Sequence, residues 1–413
     1  MPQPTPAREH PAAAIDAVGL HPPPRPAWVS PVSDWVLSVC FVVFLVAPLI
    51  FVQRGNSAAG ATGADTQLHE NRALAKAPVL RVGSIASLPG RIEAYYDDRF
   101  GFRANLVRSY NIFLRNYLKA SNGNVVLGKE GWLFYARDVI FPDFFGKSPF
   151  SEDELKRWKE YLEHRRALWA QNNIRYLFVV APNKNTIYPE FLPDYIREHQ
   201  GRSRLQQLRE YLRTTGSPVD LLDLHEALLA DKPKGYLYYR QDTHWNGRGH
   251  FTAYEAMCRA LTRWFPEIKP KVLGRDYTIR PHPWEEGEWR MLGVPEEPGR
   301  QPGEFLFPLG TPRVHQVGVT LPPGIAIPPE SWLAPIYLEG PGQHAAVLFH
   351  DSFMRSGVVD GSEVPIAENF ARTLLLGRHP SDSEIRIVSD WFHPDVVIEE
   401  TVERGLVHGP WGN

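Results

Sequence analysis

Strand patterns that alternate with amphipathic helical patterns are the feature that most constrains the fold of this chain. The clearest pair begins at Ser151, which can form a capping box with Glu154, so a helix is predicted from that point. Asn172 and Asn173 end the helical pattern, and an apolar strand is predicted over 175–181. Alternation of this kind predicts an α/β layer architecture built on a parallel sheet.

Four further strands are predicted from short apolar runs, at 219–224, 236–239, 345–349 and 396–398. A helix after residue 246 places apolar side chains on one face, namely Phe251, Tyr254, Cys258, Leu261 and Phe265. The alternation breaks over 266–343, a stretch rich in Pro and Gly. We predict either a small β-rich insertion or a set of long loops there.

A serine directly after a buried strand is the first sign of chemistry. The strand predicted at 345–349 leads through Asp351 to Ser352, which would be held rigidly with its hydroxyl exposed. His244 can accept the serine proton, and Asp242 can hold the imidazole in the correct tautomer. The residues predict a catalytic triad in the chain order Asp242, His244, Ser352.

Two simpler interpretations of the Asp-x-His segment stay open. A lone Asp-x-His occurs by chance in many capping or surface segments, and Asp242 and His244 touch only if the chain turns locally. Alternatively, Asp242, His244 and His250 are possible zinc ligands, although their spacing matches no strong metal motif. The combination with a strand-end Asp-Ser favours the triad, so no metal is predicted.

The loop after the strand at 175–181 is a second candidate part of the site. Asn183 and Lys184 would lie at the carboxyl edge of the sheet, where we predict oxyanion or substrate contacts. The alternative is an ordinary strand-to-helix loop with a solvated lysine.

The amino-terminal region differs in composition from the rest of the chain. Residues 1–33 are rich in Pro and Ala and are predicted to be a disordered cytoplasmic tail. From Trp35 to Val52 no residue is charged, and 18 residues at about 1.5 Å each approach the roughly 30 Å core of a bilayer. We therefore predict a transmembrane signal-anchor at 34–53 and a linker at 54–68, with a cleavable signal peptide or a core helix as alternatives.

Charge and cysteine content bear on whether the protein binds nucleic acid and whether it contains a disulfide. The 45 Lys and Arg residues and 47 Asp and Glu residues give a formal net charge of −2, so nothing favours nucleic acid as a partner. The two cysteines are Cys40, inside the apolar span, and Cys258, on a predicted helix face. No disulfide is predicted within the globular part, which must be stable from its core alone.

Several segments together resemble a known family, the AlgJ/AlgX-type SGNH-like acetyltransferases that O-acetylate bacterial exopolysaccharides such as alginate. The matching segments are 70–72 with Pro78, 98–103, 128–135 (GKEGWLFY), 183–190, 242–245 (DTHW) and 351–353 (DSF). The resemblance implies an SGNH-hydrolase-like, flavodoxin-like α/β domain over 69–405 with a central parallel sheet and flanking helices. It also implies Asp242, His244 and Ser352 as the triad of an acetyl-serine mechanism.

Further expectations follow from the same resemblance. Within the matching segments, the candidate substrate or oxyanion contacts are Asn183, Lys184, Tyr188 and Trp245. No cofactor is implied, because the acetyl group would come from a donor across the membrane through a membrane-bound O-acyltransferase partner. Two positions depart from the family pattern: His350 replaces a residue that is often small, and Asn183 stands where Asp is expected.

These expectations combine into one hypothesis, a single-pass enzyme of the bacterial inner membrane with a periplasmic catalytic domain that acetylates a polysaccharide. A carbohydrate esterase with the same triad is the first alternative. The second is a catalytically silent polysaccharide-binding scaffold. In either case Trp284, Trp289 and Trp332 could stack on sugars, with packing anchors as the alternative.

Overall fold

The computed structural model describes residues 31–50, 75–79, 85–99, 103–118, 120–137, 139–283, 287–293, 302–311, 313–328, 333–355 and 365–410. The chain divides into two compact units, one comprising 1–59 and 74–103 and the other 60–73 and 104–413. Trp284 and Trp332, which were considered for sugar stacking, lie outside the described residues. So do most of the predicted tail at 1–33 and the predicted linker at 54–68.

The first unit contains helices α1 (Pro31–Ile50) and α2 (Leu88–Arg99). Two hydrogen bonds hold the extended segment at Ala75 to α2: the Ala75 N–H donates to Asp98 Oδ2 at 2.7 Å, and Arg99 Nη1 donates to the Ala75 carbonyl at 2.9 Å. Within the described ranges, no helix combines the length and apolarity needed to cross a membrane. The anchor predicted at 34–53 is therefore not confirmed.

The second unit holds most of the regular structure. The helices from residue 103 onward are α3 (Arg103–Tyr117), α4 (Ile140–Phe144), α5 (Glu152–Ala170), α6 (Lys184–Ile187), α7 (Asp194–Arg197), α8 (Arg204–Thr214), α9 (His225–Asp231), α10 (Gly247–Leu261), α11 (Glu288–Met291) and α12 (Asp382–Phe392). The strands are β1 (Val125–Leu127), β2 (Leu133–Tyr135), β3 (Arg175–Ala181), β4 (Leu221–Asp223), β5 (Tyr277–His282), β6 (Gly303–Pro308), β7 (His315–Val317), β8 (Ile336–Glu339), β9 (His344–His350), β10 (Phe370–Gly377) and β11 (Val396–Val402).

Among the described residues, the main sheet has seven strands in the order β4-β3-β11-β9-β10-β8-β7. The first five run parallel, whereas β8 is antiparallel to β10 and β7 is antiparallel to β8. The sheet is therefore mixed rather than wholly parallel as predicted. Both antiparallel strands come from 266–343, and β8 covers the edge of β10, which would otherwise present unpaired backbone groups.

The parallel strands are buried on both faces because helices pack on each side of the sheet. On β3, Leu177 and Val179 belong to one hydrophobic core, whereas Phe178 and Val180 belong to the other. Helix α5 covers the second core and begins with the predicted capping box between Ser151 and Glu154. Helix α10 covers the first core, and the predicted apolar face that begins at Phe251 is buried.

Two predictions about individual elements need correction, and one open alternative is decided. The segment 236–239 is not a strand of the sheet, since only Tyr238 makes an isolated antiparallel bridge, to Trp245. The strand predicted at 396–398 continues to Val402, because the buried Glu399 and Glu400 interrupt the apolar pattern without ending the strand. The stretch 266–343 proves to be β-rich, with β5 and β6 forming a separate antiparallel pair. Cys40 and Cys258 are free, as predicted.

Candidate active site

The serine lies in a tight turn between β9 and a 3-10 helix over Ser352–Arg355. Asp351 fixes this turn with both carboxylate oxygens: Oδ1 accepts the Phe353 N–H at 2.8 Å, and Oδ2 accepts the Val402 N–H at 2.7 Å. The nucleophile turn is therefore tied to itself and to the end of the neighbouring strand β11. The first N–H groups of a helical turn have no partner within it, so the Ser352 N–H is suited to an oxyanion.

The histidine lies in a local turn and not at the end of a sheet strand. Asp242 Oδ1 accepts the backbone N–H of His244 at 2.8 Å and contacts its ring Nδ1 at 2.6 Å. Asn246 then caps α10 by accepting the N–H groups of Arg248 and Gly249, each at 3.0 Å. The turn that direct contact between Asp242 and His244 requires is therefore present.

The same imidazole contacts the serine on its other side. His244 Nε2 lies 2.7 Å from Ser352 Oγ, so aspartate, histidine and serine form one hydrogen-bonded chain. Burial opposes ionisation of Asp242, but the adjacent His244, its hydrogen bonds and the Lys184 charge lower the pKa of this carboxyl below its usual range. An ionised Asp242 holds a proton on Nδ1 and leaves Nε2 to accept the serine proton.

Lys184 has a different role from the one predicted. Its Nζ donates to the carbonyl oxygens of Leu133 at 2.6 Å, Arg240 at 2.9 Å and Asp242 at 2.9 Å. These three bonds use all the donors of an ammonium group, so the side chain has none left for an oxyanion. Lys184 instead positions the Asp242 segment, and it lies 5.1 Å from the centre of the Trp132 ring.

Asn183 follows β3 but makes no hydrogen bond to the triad within the described part of the chain. Its backbone N–H donates to Glu403 Oε2 at 2.9 Å, whereas its side-chain Oδ1 is buried without a hydrogen-bond partner. The structure therefore does not bring Asn183 together with Ser352.

Tyr188 and Trp245 are fully buried, and each makes a hydrogen bond to the backbone of another segment. The Tyr188 hydroxyl accepts the Leu237 N–H at 2.8 Å inside an aromatic cluster with Trp132. Trp245 Nε1 donates to the Phe353 carbonyl at 2.7 Å. Their burial gives both residues positioning roles in place of the predicted substrate contacts.

Arg404 is a site residue that sequence reasoning missed. Its guanidinium lies 5.3 Å from the centre of the Phe353 ring and 5.4 Å from that of Tyr135, and Nη1 donates to Thr243 Oγ1 at 3.4 Å. The Phe353 ring also packs against His244, with the ring centres 4.9 Å apart. A half-buried cation therefore lies beside the triad. No local motif predicts it, because only the place of β11 in the sheet brings it there.

Gly287 is a second residue that was not anticipated. Its φ is 134°, which disfavours other residues, and a side chain there would begin 2.5 Å from the Gln241 carbonyl oxygen. The same β-carbon would lie 3.3 Å from Asp242 Oδ2. Glycine therefore allows the backbone at this position to approach Gln241 and Asp242 closely.

The described residues contain no group of three or more His, Cys, Asp or Glu side chains placed to hold a metal ion. His250, which the metal interpretation required, is buried on α10, and its ring packs edge-on against Trp245 at 6.1 Å.

The α/β layers hold the serine at the carboxyl edge of the sheet, as expected for an SGNH hydrolase-like fold. Residues 125–288 match the family model of the SGNH hydrolase-like domain of the acetyltransferase AlgX, which confirms the resemblance inferred from the motifs. The matched range includes Asp242 and His244 and ends before Ser352.

The chain is also similar to individual proteins. The chain is 26% identical over 177 residues to a probable alginate O-acetylase AlgJ of Pseudomonas syringae pv. tomato, and the alignment covers 42% of each protein. It resembles the solved O-acetyltransferase domain of Pseudomonas putida AlgJ at 17% identity and a TM-score of 0.43, over 70% of this chain and 93% of that one. Bacillus cereus PatB1 matches at 16% identity and a TM-score of 0.47, over 68% and 97% of the two chains.

Proposed function

We propose that this protein is an O-acetyltransferase that transfers acetyl groups to hydroxyls of a bacterial exopolysaccharide through an acetyl-serine on Ser352. The observation that carries the proposal is the hydrogen-bonded chain Asp242–His244–Ser352, with contacts of 2.6 and 2.7 Å. Similarity to a protein named as a probable alginate O-acetylase supports acetyl transfer to a glycan as the reaction.

The first half-reaction forms the acetyl-serine. Ser352 Oγ attacks the carbonyl carbon of the donor while its proton passes to His244 Nε2. The Ser352 N–H stabilises the negative charge on the former carbonyl oxygen. Collapse of this intermediate breaks the bond to the donor, and the proton on His244 leaves with the donor group.

The second half-reaction runs the same steps with a sugar. His244 takes the proton of a sugar hydroxyl, whose oxygen attacks the acetyl carbon and displaces Ser352 Oγ. The proton then returns from His244 to the serine. Asp242 stays ionised throughout and stabilises the imidazolium that forms in each half.

We place the protein at the bacterial inner membrane, with the segment 34–53 as a single-pass anchor and the catalytic unit in the periplasm. The uncharged run from Trp35 to Val52 supports this placement. The acetyl donor would then be supplied by a membrane-bound O-acyltransferase partner, as the resemblance to the AlgJ/AlgX-type family implies.

The test compares the full-length wild type, in detergent, with Ser352→Ala, using p-nitrophenyl acetate as donor and alginate or neutral oligosaccharides as acceptors. Ser109→Ala, at an exposed position on α3, is the matched control. Acetylated oligosaccharide, detected by mass spectrometry only when Ser352 is present, would support the transferase. Acetate alone would identify an esterase. Equal background from the wild type and Ser352→Ala would remove the triad as a catalyst and favour a scaffold.

A further inference from the structure

Strand β11 and the residue directly after it carry acidic side chains into the centre of the protein. Glu399, Glu400 and Glu403 are at most 2% exposed. Glu399 contacts the Tyr176 hydroxyl at 2.8 Å and the His379 ring at 2.9 Å, and Glu403 accepts the Asn183 N–H at 2.9 Å. These partners account for two of the three carboxyl groups, since a buried carboxylate needs hydrogen bonds or a cation.

Glu400 is different, because its neighbour is another acidic residue, Asp351, which it contacts through the Asp351 backbone N–H. Its Oε2 accepts the backbone N–H of Asp351 at 3.2 Å, and its Oε1 has no hydrogen-bond partner within the described residues. Both oxygens of the Asp351 carboxylate already accept backbone N–H groups. Two ionised carboxylates this close in a buried site repel each other strongly, so one of them should hold a proton.

The groups around Glu400 relieve this repulsion only in part: the Arg404 charge lowers the pKa of the Glu400 carboxyl, but burial and Asp351 raise it more. Since Glu399 is opposite Phe349 in the parallel register, Glu400 is level with His350 on the adjacent strand. His350 is fully buried with its Nε2 unpartnered, and burial lowers the pKa of its imidazole to about 4, so the ring is neutral. Arg404 is the nearby cation, and the Tyr238 phenol is neutral.

We propose that Glu400 is a positioning residue of the acetyltransferase, held protonated, which donates a hydrogen bond to Asp351 and so fixes the turn that carries Ser352. The inference rests on the proposed function, because it assigns Glu400 to the same nucleophile. Asp351 is hydrogen-bonded on one side to Phe353, directly after the serine, and on the other to Val402. A hydrogen bond from a protonated Glu400 replaces the repulsion of two charged carboxylates at the serine turn with an attraction.

The electrostatics support the same arrangement. Burial and the neighbouring Asp351 raise the pKa of Glu400 well above its usual range, and a hydrogen bond between the two side chains adds to the shift. Because Oε2 accepts the Asp351 N–H, Oε1, which receives no hydrogen bond from the described residues, is the oxygen left to carry the proton. When Glu400 ionises at high pH, the two carboxylates repel and the serine turn loses its geometry. Catalysis should therefore fall as pH rises through the raised pKa.

The experiment measures the rate of acetyl-serine formation with p-nitrophenyl acetate across pH in the full-length protein. Glu400→Gln retains a hydrogen-bond donor and cannot ionise, so it should keep kcat within about threefold of wild type at neutral pH and lose the alkaline fall. Glu400→Ala removes the hydrogen bond to Asp351 and should lower kcat about tenfold or more at every pH. Glu403→Gln changes a buried glutamate that contacts Asn183, so it should keep the alkaline fall.

Identical pH profiles of wild type and Glu400→Gln would overturn the proposal, as would a folded Glu400→Gln as inactive as Glu400→Ala. If Glu400→Gln does not fold, a ¹³C titration of the glutamate side-chain carbons in the wild type decides. The proposal is supported if one glutamate signal stays protonated at neutral pH and the same signal is still present in Glu403→Gln. It is refuted if no such signal is found. Wild type without Ser352-dependent turnover would instead contradict the proposed function, which the titration does not test.

Discussion

Trp245 donates its indole N–H to the carbonyl of Phe353 at 2.7 Å, which joins the residue after the triad histidine to the residue after the triad serine. The two turns come from segments 108 residues apart. The same two turns are also joined by the contact of His244 Nε2 with Ser352 Oγ at 2.7 Å. The tryptophan is fully buried and packs edge-on against the Phe353 ring, with the ring centres 5.1 Å apart. The distance between base and nucleophile is therefore set by a second, rigid contact beside the triad.

Replacing Trp245 by Phe should retain most of the packing and remove only the N–H. We expect kcat for acetyl-serine formation to fall about tenfold, and the free energy of unfolding to fall by about 1–2 kcal/mol, because a buried carbonyl loses its donor. Stopped-flow kinetics and urea denaturation measure the two effects. Trp391→Phe, at a partly exposed position on α12, is the control. An unchanged kcat would show that the triad does not depend on this bond.

Asp242→Asn should leave the fold intact and nearly abolish activity. An amide cannot stabilise the imidazolium and favours the wrong tautomer of His244, so we expect a loss on the order of 10³- to 10⁴-fold in kcat. Turnover of p-nitrophenyl acetate and thermal unfolding would be measured together. Activity above about a tenth of wild type, in a variant with normal stability, would be incompatible with the triad.

Lys184→Met should destabilise the protein as well as the site. Three buried carbonyl oxygens lose their donor, so we expect the free energy of unfolding to fall by about 3 kcal/mol or more. Urea denaturation compares this variant with Lys269→Met, which removes an exposed lysine. Equal stabilities of the two variants would mean that the three contacts of Lys184 contribute little net energy.

Asp143 should make stability depend on pH. Burial, with Glu403 nearby, raises the pKa of its carboxyl from 3.8 to about 7, against the lowering effect of Arg204. A carboxyl with a higher pKa in the folded state binds its proton more tightly there. Its contribution to the free energy of unfolding is therefore full below pH 3.8 and is lost as pH rises towards 7, at no more than about 1.4 kcal/mol per pH unit.

Asp143→Asn tests this prediction, since its amide oxygen can still accept the Arg204 N–H that Asp143 accepts at 2.8 Å. Denaturation at pH 5 and pH 8 should show a smaller difference in the variant than in the wild type. Asp390→Asn, on the exposed end of α12, should retain the wild-type difference. A wild-type pH difference that persists in Asp143→Asn would assign it to other groups.

Local patterns in the sequence were sufficient for the parts of the protein that depend on near neighbours. The capping box at Ser151, the strand β3, the apolar face of α10 and the serine at the end of β9 all follow from spacings of a few residues. The contact between Asp242 and His244 also forms within one turn. Such features are decided by backbone periodicity and capping, which the sequence encodes directly.

Tertiary structure decided which distant segments share the site. Strand β11 lies between β3 and β9, although it is the last strand in the chain, and this order brings Glu400 and Arg404 to the turn of Ser352. Tertiary structure also decided that Lys184 and Trp245 are buried and hydrogen-bonded to the backbone of the site, because their partners come from other segments. Strand order and burial arise from contacts between residues far apart in sequence, so no local pattern reveals them.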